Sequence, residues 1–420
     1  MVSTQSLTMA SDASPSSGRN DELRQRWPVV ASGLTGMAVQ AAGYLSLGTM
    51  MTPLIAAFGW TRTEIVAVAA FNAVLSVVIA PLVGVLLNRY GPRRVALTGF
   101  VVYPLALACA GLAGPNIWSW WGIWVVITGV NFFVGPLIWT YAVTNSFVRR
   151  RGIAIGIVLS GMGVANAVIP LFLVGAIELV GWRGAYVALA AVVGIVGGGV
   201  TWKLFHLPDP AGAEQSDTQS AEGGMTARQA MATRRYWQLC LVIFLVSAAI
   251  GTLNIHLQPI LIDAGATMVG AAALTAVFGP AQIVGRLLGG WLLDRMSGPL
   301  LGFAMFLLPV LSCAVMLTGH SMGVAGFVIP ICVGVAAGVE LDLATYLASR
   351  YFGPRHFGSV FSGIFCFFTI GYTVAPLAAA HVRDTGGSYE WVLIAIALSL
   401  PVAALGVVTL GRYPDNGKFQ

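Results

Sequence analysis

What most restricts this chain is a series of apolar runs, each near or beyond the ~20 residues that a helix needs to cross the hydrocarbon core of a bilayer. They occupy residues 28–58, 63–87, 95–113, 117–147, 152–180 and 184–205, then 236–262, 268–293, 300–318, 322–349, 357–381 and 391–410, which makes twelve expected membrane helices in two sets of six. Composition agrees, because 9% of the residues are charged and 57% hydrophobic, whereas a soluble domain carries charge on about a quarter. A soluble globular fold is excluded. The expected class is an all-α integral membrane protein.

Charge orients the helices. With the N-terminus cytoplasmic, eighteen of the 22 Lys and Arg residues fall in inner loops and tails, three (Arg62, Arg183 and Arg383) fall in outer loops, and Arg286 lies inside a span. Such a bias predicts a multi-pass protein of a bacterial inner membrane with both termini cytoplasmic. The same clustering assigns the net charge of +6 to topology rather than to a nucleic-acid surface. Cys109, Cys240, Cys313, Cys332 and Cys366 all lie in apolar runs without CxxC spacing and read as free thiols. No metal or cofactor motif is present, and the expected partners are the lipid bilayer, a small organic anion and a proton.

Domain boundaries follow from the same pattern. Residues 1–26 read as a disordered cytoplasmic tail, 27–205 as one six-helix half, 206–235 as a flexible cytoplasmic linker, 236–411 as the second half and 412–420 as a second tail. A constant offset of 206 residues lays Pro53 on Pro259, Gly59 on Gly265, Gly84 on Gly290, Asn88 on Asp294, Arg89 on Arg295 and Pro170 on Pro376. Repeats of an even number of spans keep one orientation, so the halves are pseudo-symmetric about the membrane normal. At the cytoplasmic mouth, Asn88 and Asp294 beside Arg89 and Arg295 are candidate gate residues that cap a helix end or pair across the gap.

The segment GVLLNRYGPRR at residues 84–94, its echo GWLLDRMSGPL and the twelve spans in two halves resemble the major facilitator superfamily. Within it, FGWTRTEI at 58–65 and FVRRRGIAIGIVLSGMGVA at 147–165 resemble the bacterial branch of the monocarboxylate transporter family, near the oxalate/formate exchangers. The resemblance implies the major facilitator fold and a carrier that moves small organic anions with a proton or by exchange through alternating access; no nucleophile and base pair, metal-ligand cluster or phosphate loop points to an enzyme, and the protein is expected to act as a monomer. The chain lacks an acidic residue early in its first span and a Lys in its eleventh, where some relatives carry them.

Charged and polar groups inside spans mark a candidate site. Arg286 lies eight residues before Asp294, about 12 Å inside the cytoplasmic end at 1.5 Å per residue. A charge at that depth costs at least about 2.5–3.5 kcal/mol, so it should face a protein cavity. Its planar guanidinium suits a bidentate carboxylate, with a buried salt bridge as the plainer reading. Glu340 and Asp342 fall at similar depth in the tenth span and point about 200° apart, so one lines the cavity while the other packs. Either is a candidate proton carrier. Asn254 and His256 in the seventh span, with Tyr44, Asn131, Tyr141 and Gln282 elsewhere, are candidate substrate donors, although hydrogen bonding between helices accounts for such groups equally well. Small residues at Gly152, Gly156 and Ser160, and at Gly358 and Ser362, are candidate sliding contacts between halves, and tryptophans at span ends read as interface anchors.

A single membrane Arg with neutralisable acids nearby suits one carboxylate per cycle. The expected function is therefore proton-coupled transport of a small lactate- or pyruvate-like monocarboxylate. Anion exchange, and export or uptake of a larger aromatic acid, a siderophore or a drug, are the alternatives.

Overall fold

The computed structural model describes residues 17–147, 151–206, 224–293, 295–318, 324–353, 357–411 and 413. Among them there are helices and turns and no strands, as expected where backbone groups must be satisfied within each segment. Ten helices are long and apolar enough to cross a membrane. One of these runs 52 residues, Ile153–Leu204, which at 1.5 Å per residue is about 78 Å and far exceeds one bilayer. Gly181, with φ 71° and ψ 171°, breaks it into the fifth and sixth spans. The 21-residue helix Ala70–Tyr90 supplies the second span, which brings the bundle to the twelve expected.

Boundaries differ at three places. The first helix starts at Ser17, inside the stretch expected to be a tail. The short helix Ala227–Met231, closed by a Thr226–Gln229 capping box, lies in the expected linker, and the Met225 N–H donates to the Phe352 carbonyl at 2.8 Å. The fourth span is discontinuous, Ile117–Asn131 followed by Pro136–Ser146, because Gly135 and Pro136 interrupt the helical hydrogen bonds.

Two buried clusters underlie the bundle. One is built almost wholly from residues 29–205, the other from residues 230–410. Ile255 and Ala380 of the second half contribute to the first cluster. Prolines shape the seam: Pro259 cannot donate to the Ile255 carbonyl, and a Cβ on Gly48 would sit 2.6 Å from that same oxygen. Only glycine permits so close an approach of the first span to the seventh.

The tryptophans divide by partner. Trp118 and Trp391 are exposed, as interface anchors are. Trp60, Trp120 and Trp124 instead are buried, and the indoles of Trp60, Trp120 and Trp121 donate to the carbonyls of Pro115, Ile65 and Glu64. The anchoring expectation is corrected for these: they pack inside the bundle, and an indole N–H there needs an acceptor, which the surrounding loop and helix supply to Trp60, Trp120 and Trp121.

Candidate functional site

Arg286 and Asp342 are brought together by glycine. Where the eighth span, Met268–Ala276 and Phe278–Leu293, crosses the tenth, Val324–Phe352, a Cβ on Gly338 would fall 2.2 Å from the Gln282 carbonyl and 2.6 Å from the Arg286 nitrogen, and one on Gly285 2.3 Å from the Val335 carbonyl. The backbones touch there, as small residues at such crossings allow. The outcome is an Arg286 Nε–Asp342 Oδ2 pair at 3.6 Å. That is an ion pair, too long for a good hydrogen bond. Gly338→Ala should push the two helices apart, at a stability cost of about 1–3 kcal/mol, and should lower both Tm and transport; an unchanged Tm in purified protein would contradict the crossing.

From Arg286 a chain of amides crosses the seam. Gln282, one turn earlier, accepts at Oε1 from Asn166 Nδ2 at 3.1 Å. Asn166 Oδ1 accepts from Asn254 Nδ2 at 3.2 Å, and one turn further Gln258 Oε1 accepts from the Thr49 hydroxyl at 2.7 Å. Asn131 Nδ2 donates to Gln40 Oε1 at 3.3 Å. Six buried polar atoms on or near this track have no hydrogen-bond partner among the described residues: Tyr44 Oη, Asn131 Oδ1, Asn254 Oδ1, Gln258 Nε2, Arg286 Nη1 and Glu340 Oε1. Buried groups are normally satisfied, so this run of unspent donors and acceptors is the stretch of the seam equipped to hold a polar ligand or water.

Glu340 does not face Arg286. It is 2% exposed and lies within electrostatic reach of Tyr372, whose ring centroid is 5.7 Å from that of Tyr44. Tyr372 ends an aromatic row along the eleventh span, with Phe365–Phe368 centroids 5.4 Å apart and Phe368–Tyr372 5.6 Å.

Other expected site residues are placed elsewhere. His256 is fully buried, with Nε2 2.9 Å from the Pro376 carbonyl and Nδ1 2.9 Å from the Tyr389 hydroxyl. The carbonyl fixes the proton on Nε2, and Tyr389 donates to Nδ1. Burial holds the Tyr389 phenol above its ordinary pKa, which keeps it a donor. Neither ring nitrogen is left for a substrate in this conformation. Tyr141 is half-buried against the first cluster. Arg89 stacks on Tyr90 and Arg295 on Trp291. The side chain of Asn88, all of Asp294, and the surroundings of Gly152 and Gly358 lie outside the described residues. Gly156 faces open space, so the tight seam contact of the fifth span falls instead at Gly163, where a Cβ would meet the Gly279 carbonyl at 2.8 Å.

A second polar cluster, none of whose members is a candidate from sequence, lies at the end of the bundle remote from the chain termini. Gly59 adopts φ 69° and ends the first span. Thr61 and Glu64 form a capping box that starts the short helix Arg62–Val66. Arg62 Nη2 donates to Asp263 Oδ1 at 3.0 Å, and Arg383 Nε to Asp263 Oδ2 at 2.8 Å. Asp384 accepts from the backbone N–H groups of Arg62 and Thr63 at 3.2 and 2.7 Å and from the Thr63 hydroxyl at 2.7 Å. The motif FGWTRTEI is thereby explained. It docks the start of the second span on the ends of the seventh and eleventh and seals this face.

A family model described as the Major Facilitator Superfamily matches residues 33–376, and again residues 239–420. The chain belongs to this superfamily. It is a multi-pass membrane transporter, not an enzyme, related to monocarboxylate transporters. It is 23% identical over 405 residues to monocarboxylate transporter 13 of Rattus norvegicus, covering 92% of this chain and 89% of that protein. With monocarboxylate transporter 11 of Mus musculus it shares 25% over 277 residues, 65% of this chain and 60% of that one. The structure of a point mutant of the nucleoside transporter NupG superposes with a TM-score of 0.72 at 15% identity, covering 91% of this chain and 100% of that one. An inward-facing, unoccupied bacterial homolog of the human lysosomal transporter Spinster gives 0.67 at 14%, covering 94% and 96%. At such identities the likeness is one of fold.

Proposed function

We propose that this superfamily member moves a small monocarboxylate together with a proton by alternating access. The observation that carries the reading is the partnership of Arg286: a loose pair with Asp342 at 3.6 Å and a buried Nη1 with no hydrogen-bond partner among the described residues. A proton on Asp342 removes the charge that holds Arg286, and the freed guanidinium accepts a substrate carboxylate in its planar fork. Loss of the carboxylate on the other side returns Arg286 to Asp342 and expels the proton. Charge in the cavity is the same in both states, so the cycle is electroneutral. Glu340, with an unpartnered Oε1, is the second candidate carrier. Tyr44, Asn131, Asn254 and Gln282 line the route to Arg286, and His256 supports the wall. The Lys and Arg bias supports cytoplasmic termini in a bacterial inner membrane, with the sealed face outermost, Asn88, Arg89, Asp294 and Arg295 at the cytoplasmic gate, and a single chain sufficing.

The aromatic row from Phe365 to Tyr372 favours a second reading, an aromatic carboxylate that stacks on the eleventh span while Arg286 takes its acid group. One experiment separates the two. External pH is followed in weakly buffered, de-energised cells as L-lactate, pyruvate, acetate, oxalate and benzoate are added in turn. Alkalinisation with the short acids, absent in cells making the Arg286→Lys variant, is the expected result, and the same variant-sensitive response with benzoate alone selects the aromatic reading. Silence with all five overturns proton-coupled uptake of these acids and turns the reading to exchange, export or a larger substrate. If Asp342→Asn and Glu340→Gln each kept uphill, pH-driven uptake, the coupling assignment would be wrong.

A further inference from the structure

The third and sixth spans leave a groove between them on the outside of the bundle, away from the substrate seam. Its deeper part, about 570 Å³, is lined by Arg93, Phe100, Val101, Gly198, Gly199 and Trp202. A second part of about 380 Å³ shares Phe100, Val101, Gly194 and Ile195 with the first and continues to Ala108 and Val187. From Arg93 to Ala108 the third span rises about 22 Å, against about 15 Å for one leaflet of the hydrocarbon core. The groove exists because the sixth span reads VGIVGGG there. Its turn widens to a π-helix over Val193–Gly198, and Gly199 has nothing within 4 Å of a Cβ position. The walls are apolar and exposed, Val101 at 63% and Ile195 at 74%.

One end is cationic. Arg93 Nη2 donates to the Trp202 carbonyl at 3.0 Å, and its Nε–H, shielded from solvent, has no partner among the described residues. Arg94 follows it, Lys203 adjoins Trp202, and Arg26 and Lys203 line a neighbouring hollow at the same end. Trp202, 70% exposed, stands at headgroup level as interfacial tryptophans do. A slot with a guanidinium at the membrane surface and an acyl-width apolar channel below has the shape and charge order of a phospholipid.

We infer that this groove binds an anionic phospholipid of the leaflet on the side of the chain termini, its phosphate at Arg93 and one acyl chain along Phe100, Val101 and Ile195. The inference does not depend on the transported substrate. The full-length protein is purified in detergent, supplied with dioleoylphosphatidylglycerol or dioleoylphosphatidylcholine, and analysed by native mass spectrometry. The wild type should retain phosphatidylglycerol at least about five-fold better than phosphatidylcholine. Arg93→Gln should lose that preference and Arg93→Lys should restore most of it. Gly199→Leu, whose side chain enters the groove without a backbone clash, should lower retention of both lipids. Equal retention of the two lipids by the wild type, or variants that behave as it does, would overturn the proposal. So would displacement by glycerol phosphate, which needs only a headgroup site, or a protein dimer in place of bound lipid that Gly199→Leu dissolves, which makes the groove an interface between copies.

Discussion

Replacing Arg286 with Lys should reduce carboxylate uptake by roughly 10- to 100-fold at the same protein level in the membrane. A hydrogen bond to a charged group is worth about 1.5–3 kcal/mol, and each 1.4 kcal/mol is a factor of about ten. Lys keeps the positive charge, so Asp342 retains a partner and the fold is not asked to bury a lone carboxylate. What it loses is the planar fork, since an ammonium meets a carboxylate as a point charge. The measurement is initial uptake rate over a substrate series, with membrane levels read by immunoblot. Normal transport by Arg286→Lys would remove the clamp from the mechanism and leave Arg286 as a structural partner of Asp342.

Gly279→Val should abolish transport by preventing closure of the face remote from the termini. A Cβ there would lie 2.0 Å from the Gly163 carbonyl and 2.6 Å from the Ala167 nitrogen. Both are backbone atoms of the other half, so no rotamer relieves the clash and the halves must separate. Rates below about a tenth of wild type are expected, because an alternating carrier needs both closed states. The diagnostic is exposure. Thr49 is 2% exposed with this face closed, and a Thr49→Cys thiol in a background lacking the five native cysteines should react with an impermeant maleimide markedly faster when Gly279→Val is present than when it is not. Gly290→Val, where the Cβ position meets nothing within 4 Å, is the matched control and should transport normally. An unreactive thiol in the Gly279→Val protein would mean that the seam closes elsewhere.

How far the sequence was readable depended on the kind of signal. Spans, halves and a repeat are carried by long runs and by a fixed offset, and these survive errors of a few residues. Arg286 and Asp342 stand out because a charge in an apolar run is costly, and the same rule points to Glu340. Which carboxyl faces the Arg is a matter of helix rotation, set by backbone contact at Gly285 and Gly338, and in a chain with 51 glycines no single glycine announces a crossing. Gly156 shows the difficulty, since it has the spacing of a contact glycine and yet faces open space. His256 looked like a site residue for the same reason as Arg286, yet its two partners, Pro376 and Tyr389, are 120 and 133 residues away and satisfy it inside the wall. The sealing cluster was hidden because its members are ordinary loop residues up to 322 positions apart. In the sequence the motif FGWTRTEI carries a family resemblance and says nothing of these partners.

That cluster is asymmetric in a way that bears on energetics. When the halves part, Arg62 leaves Asp263, but Asp263 keeps Arg383, which comes from its own half. Asp384 gives up two backbone donors and a hydroxyl and turns to water at the membrane surface. No carboxylate is stranded in a dry interior. Partly exposed pairs of this kind are worth about 0–1 kcal/mol each, well short of the roughly 5.5 kcal/mol that separates a 1:99 from a 99:1 population. A polar closure so cheaply undone leaves the carrier without a strong preference of its own, and the gradients on the two sides of the membrane then decide which way the cargo runs.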